Sequence, residues 1–413
     1  MSRLHLFEGF GVELEYMVVD RTSLDVAPIA DQVLMRAAGV ASPISDLERG
    51  PIAWSNELVL HVLELKTNGP APSLEALPAL FLADVQAADA VAGGLGARLL
   101  PSAMHPWMDP ARETRLWPHE YSPVYEAFDR IFGCSGHGWS NLQSAHLNLP
   151  FADEGELVAL HAAIRLVLPL VPALAASSPY QEGQATGLLD TRLEHYRRNS
   201  QRIPSVAGLV IPEAIGSEVE YRRDILERIW ADLAPHDPAG VLRDEFANAR
   251  GAIARFERGA IEIRVVDVQE TPRADLAILA ALVELLRELV EQHHTALEHQ
   301  HRIPTDALAV AFRAAIRDAE RAELGEVPGW REALGLPAGT ATGAAAWQHI
   351  LDRLVARGRL APLWEEPLEV ILRHGPLARR MVAGAGLTPT RQALVTLGEE
   401  LAGCLVGDRL LLP

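Results

Sequence analysis

The ten residues GVELEYMVVD, positions 11 to 20, constrain the fold more than any other stretch, because apolar and acidic side chains alternate through them. A strand repeats its side-chain direction every two residues, so Val12, Leu14 and Tyr16 point to one face while Glu13 and Glu15 point to the other. Any half-solvated antiparallel sheet shows such a charged face, so this strand alone is compatible with an ordinary wet surface. Two like charges side by side are also what a strand presents when a cation is to sit between them.

Further short alternating segments fall at 57 to 66, 97 to 104, 143 to 149 and 261 to 268, each of strand length. Helical patterns separate them. Residues 73 to 96 read as a helix with Ser73 as N-cap and a stop at Gly93, Gly94 and Gly96. Asp153 caps the next helix, which runs into ASSPY, and Thr271 or Asp275 opens a long apolar-periodic segment reaching about residue 299. The spacing lacks the short regular rhythm of a doubly wound fold. The expected class is α+β, a mostly antiparallel sheet with helices packed on one face and the other face open. The tail from 304 to 413 is helical in pattern, with turn signals at EVPGW, LGLPAGTATG and GAGLTP. The expected organisation is a catalytic domain over 1–303 with a helical extension over 304–413 packed on the same domain.

Composition narrows the partners. At 413 residues the chain buries roughly three quarters of its extended surface on folding, so it needs no metal or disulfide merely to hold together. Its net charge is −18, and no basic block interleaved with aromatics occurs, which argues against nucleic acid and anionic membranes as partners. The two cysteines, Cys134 and Cys404, are far apart and in no metal-binding spacing, which points to a reducing, cytoplasmic setting. The opening MSRLHLFEGF has no signal-peptide pattern, and the apolar run 164–176 is too short to span a bilayer and carries Pro169 and Pro172. That run reads as a buried helix with a break.

Strand parity then sorts the polar residues. The open face collects Glu13 and Glu15 from the first segment, Glu64 and Lys66 from NELVLHVLELKT, His146 and Asn148 from SAHLNLP, and Glu262 and Arg264 from AIEIRVVDV. A merely wet face would mix in more Thr, Ser and Lys. Glu57 is the awkward member: seven residues separate it from Glu64, which on one flat strand sends the two to opposite faces, so it reaches the site only from the rim or through a bulge. Carboxylates about 5 Å apart repel by roughly 3 kcal/mol per pair at an effective dielectric of about 20. Hard divalent cations offset this, and Mg²⁺ in particular is held by a few carboxylates together with waters and substrate phosphates. A nucleoside triphosphate is the natural third party, with Arg264 placed to stabilise charge on a transferring phosphoryl group. His294 and Glu298 have helical i, i+4 spacing at a helix end, where histidine also meets the dipole favourably. No P-loop, dinucleotide fingerprint or G-x-S-x-G elbow occurs.

Taken in order, GVELEYMVVD, ELVLHVLELKT, AMHPW, SAHLNLP, ASSPY and AIEIRVVDVQETP resemble the motifs of glutamate cysteine ligase family 2, the bacterial carboxylate-amine ligases related in fold to glutamine synthetase. The resemblance covers about residues 8 to 290. It implies a curved antiparallel sheet like the glutamine synthetase and guanidino kinase catalytic domains. It also implies amide-bond formation in which ATP phosphorylates the γ-carboxylate of glutamate, or a related carboxylate, and an amine such as cysteine attacks the acyl phosphate. On this reading Glu13, Glu15, Glu57, Glu64, His146 and Glu262 would hold Mg²⁺, with Mn²⁺ as an alternative. Arg264 and Lys66 would meet the nucleotide, Arg264 and Glu262 would be catalytic, and Asn148 and Arg192 would face the amino-acid substrates. A homo-oligomer is compatible with the reading.

An acyl phosphate hydrolyses readily, so a closing segment is expected, and 105 to 140, with His105, Arg112, Arg115 and several aromatic residues, is the candidate. Residues 186 to 205 lack the family's Trp-rich pattern, which leaves the amine undetermined. Two alternatives stay open: a guanidino-kinase-type phosphoryl transferase, and a catalytically silent ATP- or metabolite-binding protein of the same fold.

Overall fold

The computed structural model describes residues 3–413. Eight strands form one antiparallel sheet: β1 (Gly11–Asp20), β2 (Asp46–Arg49), β3 (Ile52–Asn56), β4 (Val62–Thr67), β5 (Ala97–Leu100), β6 (Ser144–Pro150), β9 (Ala252–Arg255) and β10 (Ala260–Asp267). β7 (Tyr180–Gln181) and β8 (Gln184–Ala185) make a separate small hairpin. The sheet order is β2-β3-β4-β1-β6-β10-β9, with β5 pairing the far half of β1. Central β1 thus has β4 and β6 as neighbours along its first half, where the glutamates lie.

Val12, Leu14, Tyr16 and Val18 are fully buried on the inner face of β1. The Leu77–Gly93 helix packs there against β3, β4 and β5, and the Glu154–Val167 helix against β9 and β10. The Pro272–Val290 helix touches both, and 15 of its 19 residues are buried. This matches the α+β reading. Asp153 accepts from the Glu156 N–H as the expected N-cap. Ser73 instead closes a local turn by accepting from the Glu75 N–H, and the helix starts at Leu77. The helix opened at Thr271 ends at Val290, short of 299, and a separate helix covers Leu297–Arg302.

The apolar run is a core element. The Glu154–Val167 helix passes through a 3₁₀ segment, Leu168–Leu170, into Val171–Ala175, so the break falls at Pro169 and Pro172, which lack the N–H an α-helix needs. By length and composition Glu154–Ala175 passes for a membrane span, but 94% of that window lies inside the protein. Helices of the tail complete its surroundings: Trp330 and Trp347 donate their indole N–H groups to the carbonyls of Leu166 and Leu170, each at 2.8 Å. One continuous apolar cluster extends from Phe10 to Leu405.

Candidate functional site

Strand register brings the polar residues together. Glu13 stands opposite Lys66 of β4 on one side and His146 of β6 on the other, and Glu15 stands opposite Glu64. Ser55 of β3 faces Glu64. Asn148 of β6 has Gly11 on one flank and Glu262 of β10 on the other. All of these side chains project into one cavity of about 1120 Å³, which Glu57, Arg192 and Arg264 also line. Every residue singled out in the sequence for the site therefore reaches the same space.

Glu57 gets there by a route the one-strand reading of 57 to 66 did not contain. The chain makes β3 and then β4, and Glu57 directly follows β3, so it enters from the rim and has no parity relation to Glu64. Among these glutamates it lacks a side-chain partner, its carboxylate accepting only the adjacent Leu58 N–H at 3.4 Å.

The others are anchored. Glu13 accepts from Asn148 at 3.0 Å and pairs with His146 Nδ1 at 2.9 Å. Glu15 accepts from the N–H and the hydroxyl of Ser144 at 2.7 and 2.9 Å. Glu64 accepts from the Ser55 hydroxyl at 2.7 Å and lies 3.3 Å from Lys66 Nζ. Arg264 Nε lies 2.9 Å from Glu262. Glu15, Glu64, His146 and Glu262 are each no more than 6% exposed, so their charges are held away from bulk water.

Crowding divides the acids. Burial opposes the charged form of Glu13, but the His146 hydrogen bond and charge, with Lys66 and Arg264, outweigh it and hold the carboxyl down at about 2. Burial and Arg264 oppose the charged form of His146, but the Glu13 hydrogen bond and the charges of Glu15 and Glu13 outweigh them and raise it. Burial and the neighbouring Glu13 push Glu64 up to about 7. Burial, Glu64, Glu15 and Glu13 push Glu57 well above the carboxylate range. The cluster thus carries more carboxylates than its own cations neutralise. One ligand atom each from Glu13, His146 and Glu262 fall within 4.8 Å of one another, as do those from Glu15, Glu64 and His146. These donor sets fit hard divalent cations, and the surplus acid is what such cations would neutralise.

A bulge in β10 shapes the other half of the site. Ile263 pairs with Leu147 and Val266 with Ala145, so three steps on β10 match two on β6. Parity flips there, and Asp267, opposite Ser144, turns to the same side as Glu262. Fully buried Asp267 binds Arg192 Nε and accepts from the Ser177 N–H at 2.8 Å and the Ser178 hydroxyl at 3.0 Å. Those serines belong to the ASSPY motif. Arg192 is thereby fixed where it lines the cavity, with Nη2 buried and without a hydrogen-bond partner among the described residues.

The face opposite the helices is walled, contrary to the open face expected. Tyr121, Val124, Tyr125, Phe128, Trp139 and Leu142 line it together with Tyr196, Asn199, Val206 and Phe246. Of the expected closing segment, only the part from Tyr121 onward meets the cavity. His105 is buried elsewhere against the Leu24 carbonyl, and Arg115 donates to the carbonyls of Arg112 and Thr114 at the surface. His294 lies beside Glu288, 3.5 Å away, rather than forming a site with Glu298. Tyr121, Tyr125, Phe128 and Trp139 are among the aromatic residues expected in the closing segment, whereas Ser55, Ser144, Asp267 and the wall residues Tyr196, Val206 and Phe246 were not anticipated. Ser55 sits in β3, outside the strand read over 57 to 66, and Asp267 behind a bulge, while Val124, Tyr125 and Phe128 of the wall lie on an amphipathic helix, Ser122–Phe132.

The sequence pattern defining "Glutamate-cysteine ligase family 2 (GCS2)" matches residues 9–380. An uncharacterized protein of Archaeoglobus fulgidus is 36% identical over 307 residues, covering 74% of this chain and 79% of that protein. A Rubrobacter xylanophilus protein named "Putative glutamate--cysteine ligase 2-3" is 29% identical over 285 residues, covering 68% and 69%. Among solved structures, a bifunctional glutathione synthetase from Pasteurella multocida superposes over 96% of this chain with a TM-score of 0.51 at 14% identity. That superposition spans 53% of the larger chain, and it is a likeness of fold. With a match over nearly its whole length, sheet and acidic cavity included, the chain belongs to glutamate-cysteine ligase family 2, the carboxylate-amine ligases.

Proposed function

We propose that the protein is an ATP- and Mg²⁺-dependent ligase that joins the γ-carboxylate of glutamate, or a close relative, to an amine. The observation that carries this reading is the convergence of Glu13, Glu15, Glu57, Glu64, His146 and Glu262 with Arg264 in one cavity. When bound, Mg²⁺ would neutralise the triphosphate and draw charge from its bridging oxygens. Arg264, set by Glu262, would stabilise the charge that builds on the γ-phosphoryl group as a carboxylate oxygen attacks it and the bond to ADP breaks. Arg192 and Asn148 would hold the acid so that its γ-carboxyl faces that phosphorus. The amine nitrogen then attacks the carbonyl carbon of the acyl phosphate, phosphate leaves with the C–O bond, and the amine loses its proton to a carboxylate of the cluster or to the departing phosphate. The walls from Tyr121 to Leu142 would keep water from the acyl phosphate.

The test is a mass-spectrometric search for new amides after incubation with ATP, Mg²⁺, glutamate and an amine library, with ADP followed in parallel. ADP release that requires Mg²⁺ and both co-substrates, with an amide product, is expected. A phosphoguanidine product, or ATP bound with no ADP formed under any combination, would replace this reading with one of its two alternatives.

A further inference from the structure

The cavity is polarised along the strand direction, and the two ends differ in chemistry. At the end where β1 and β10 begin and β4, β6 and β9 finish, it is lined by four cations, Arg3, Lys66, Arg255 and Arg258, against two carboxylates, Glu257 and Asp46, the latter paired with Lys66. At the opposite end, where β3 runs into Glu57 and β6 begins after Leu142, it is lined by Tyr125, Phe128 and Trp139. The acidic cluster lies between. The aromatic rings form a continuous surface: Phe128 is 5.3 Å from Trp139 and 6.3 Å from Phe246, centroid to centroid. The Tyr125 hydroxyl accepts from Asn56 at 3.0 Å, which ties this surface to the strand end carrying Glu57.

A polyanionic triphosphate is favoured at the cationic end and costly against aromatic rings with no counter-charge. The wall from Tyr121 to Leu142 contributes no lysine or arginine to the cavity. Arg192 is held at Nε by Asp267, and its remaining Nη2 is the group assigned above to the acid substrate, which leaves it no donor for a second carboxylate. From this arrangement we infer that the acceptor is an amine carrying an aromatic or extended apolar group and no carboxylate, its ring lying on Phe128 and Trp139 and its nitrogen directed toward the acidic cluster. The inference rests on the ligase reading above and adds the acceptor class to it. Offset or edge-on ring contacts and removal of apolar surface from water supply the affinity, and the unpaired carboxylate of an amino-acid acceptor would be the element that rejects it.

The experiment measures steady-state ADP release with ATP, Mg²⁺ and glutamate, using benzylamine, phenethylamine, ethylamine, glycine and cysteine as acceptors, with each product checked by mass. Benzylamine and phenethylamine are expected to exceed ethylamine and cysteine in kcat/KM by about 10-fold or more. Phe128→Ala is expected to raise KM for phenethylamine by about 10-fold with KM for ATP unchanged, and Phe128→Leu, which keeps most of the volume, covers the case in which the alanine variant does not fold. Preference for cysteine or ethylamine would overturn the inference while leaving the ligase reading intact. So would a Phe128 variant that raises KM for ATP alone, since the rings would then hold the adenine. Absence of ADP release with every acid and amine would overturn both.

Discussion

At the scale of single residues, the site is a problem in crowding. Glu262 both borders the cluster and sets Arg264, so Glu262→Gln removes a charge from each task. It is expected to lower kcat by roughly 10² to 10³ or more while the thermal transition changes little. Equal activity in the two proteins would remove Glu262 from the chemistry. Glu64 supplies a pH prediction. Its carboxyl is raised from the ordinary value to about 7 in the folded chain, by burial first and by Glu13 second. The folded state therefore binds the extra proton more tightly than the unfolded state, and this contribution to stability is complete below about 4.5 and is lost as pH rises through about 7. The melting temperature without divalent cations should fall across that window, and added Mg²⁺ should raise it more at pH 8 than at pH 6, because binding to the folded state alone stabilises it. A Mg²⁺ effect larger at pH 6 would contradict this assignment.

At the scale of elements, period-two alternation makes Glu13, Glu15, Glu64, His146, Asn148 and Glu262 legible, because each sits in a regular stretch of a strand with an apolar back face, and Arg264 with them because it lies one residue beyond the last regular pair, Ile263 with Leu147. Legibility ends where regularity ends. β3, IAWSN, is buried at every position and shows no alternation, so Ser55 and the true place of Glu57 could not be read. The β10 bulge hides Asp267 in the same way: counting by twos from Glu262 puts it on the wrong face. Its role in the fold gives a prediction. Asp267→Ala leaves the Arg192 guanidinium buried without its partner and should cost about 3 to 5 kcal/mol in denaturant unfolding. A loss below about 1 kcal/mol would show that Arg192 finds another anion or reaches water.

At the scale of the whole molecule, we propose that residues 304–413 fold as one unit with residues 1–303. Trp347 is fully buried and bonded to the Leu170 carbonyl beside the proline break, and Trp330 serves Leu166 in the same way. Trp347→Ala should destabilise the protein by about 3 to 5 kcal/mol, and calorimetry of the intact chain should give a single cooperative transition. Two separated transitions would split the unit. The helical character of this tail and its packing on the same domain could be read from the sequence, but the contacts that fix it could not, since they join indoles to carbonyls more than 160 positions away.

That the acidic cluster is a cation site is tested most directly by diffraction from crystals grown with Mn²⁺ and a non-hydrolysable ATP analogue, recorded at the manganese edge. The expected result is anomalous peaks inside the cavity, each within bonding distance of oxygens from Glu13, Glu15, Glu57, Glu64 or Glu262 or of the His146 ring. A cavity with the nucleotide bound and no peak at those residues would contradict it.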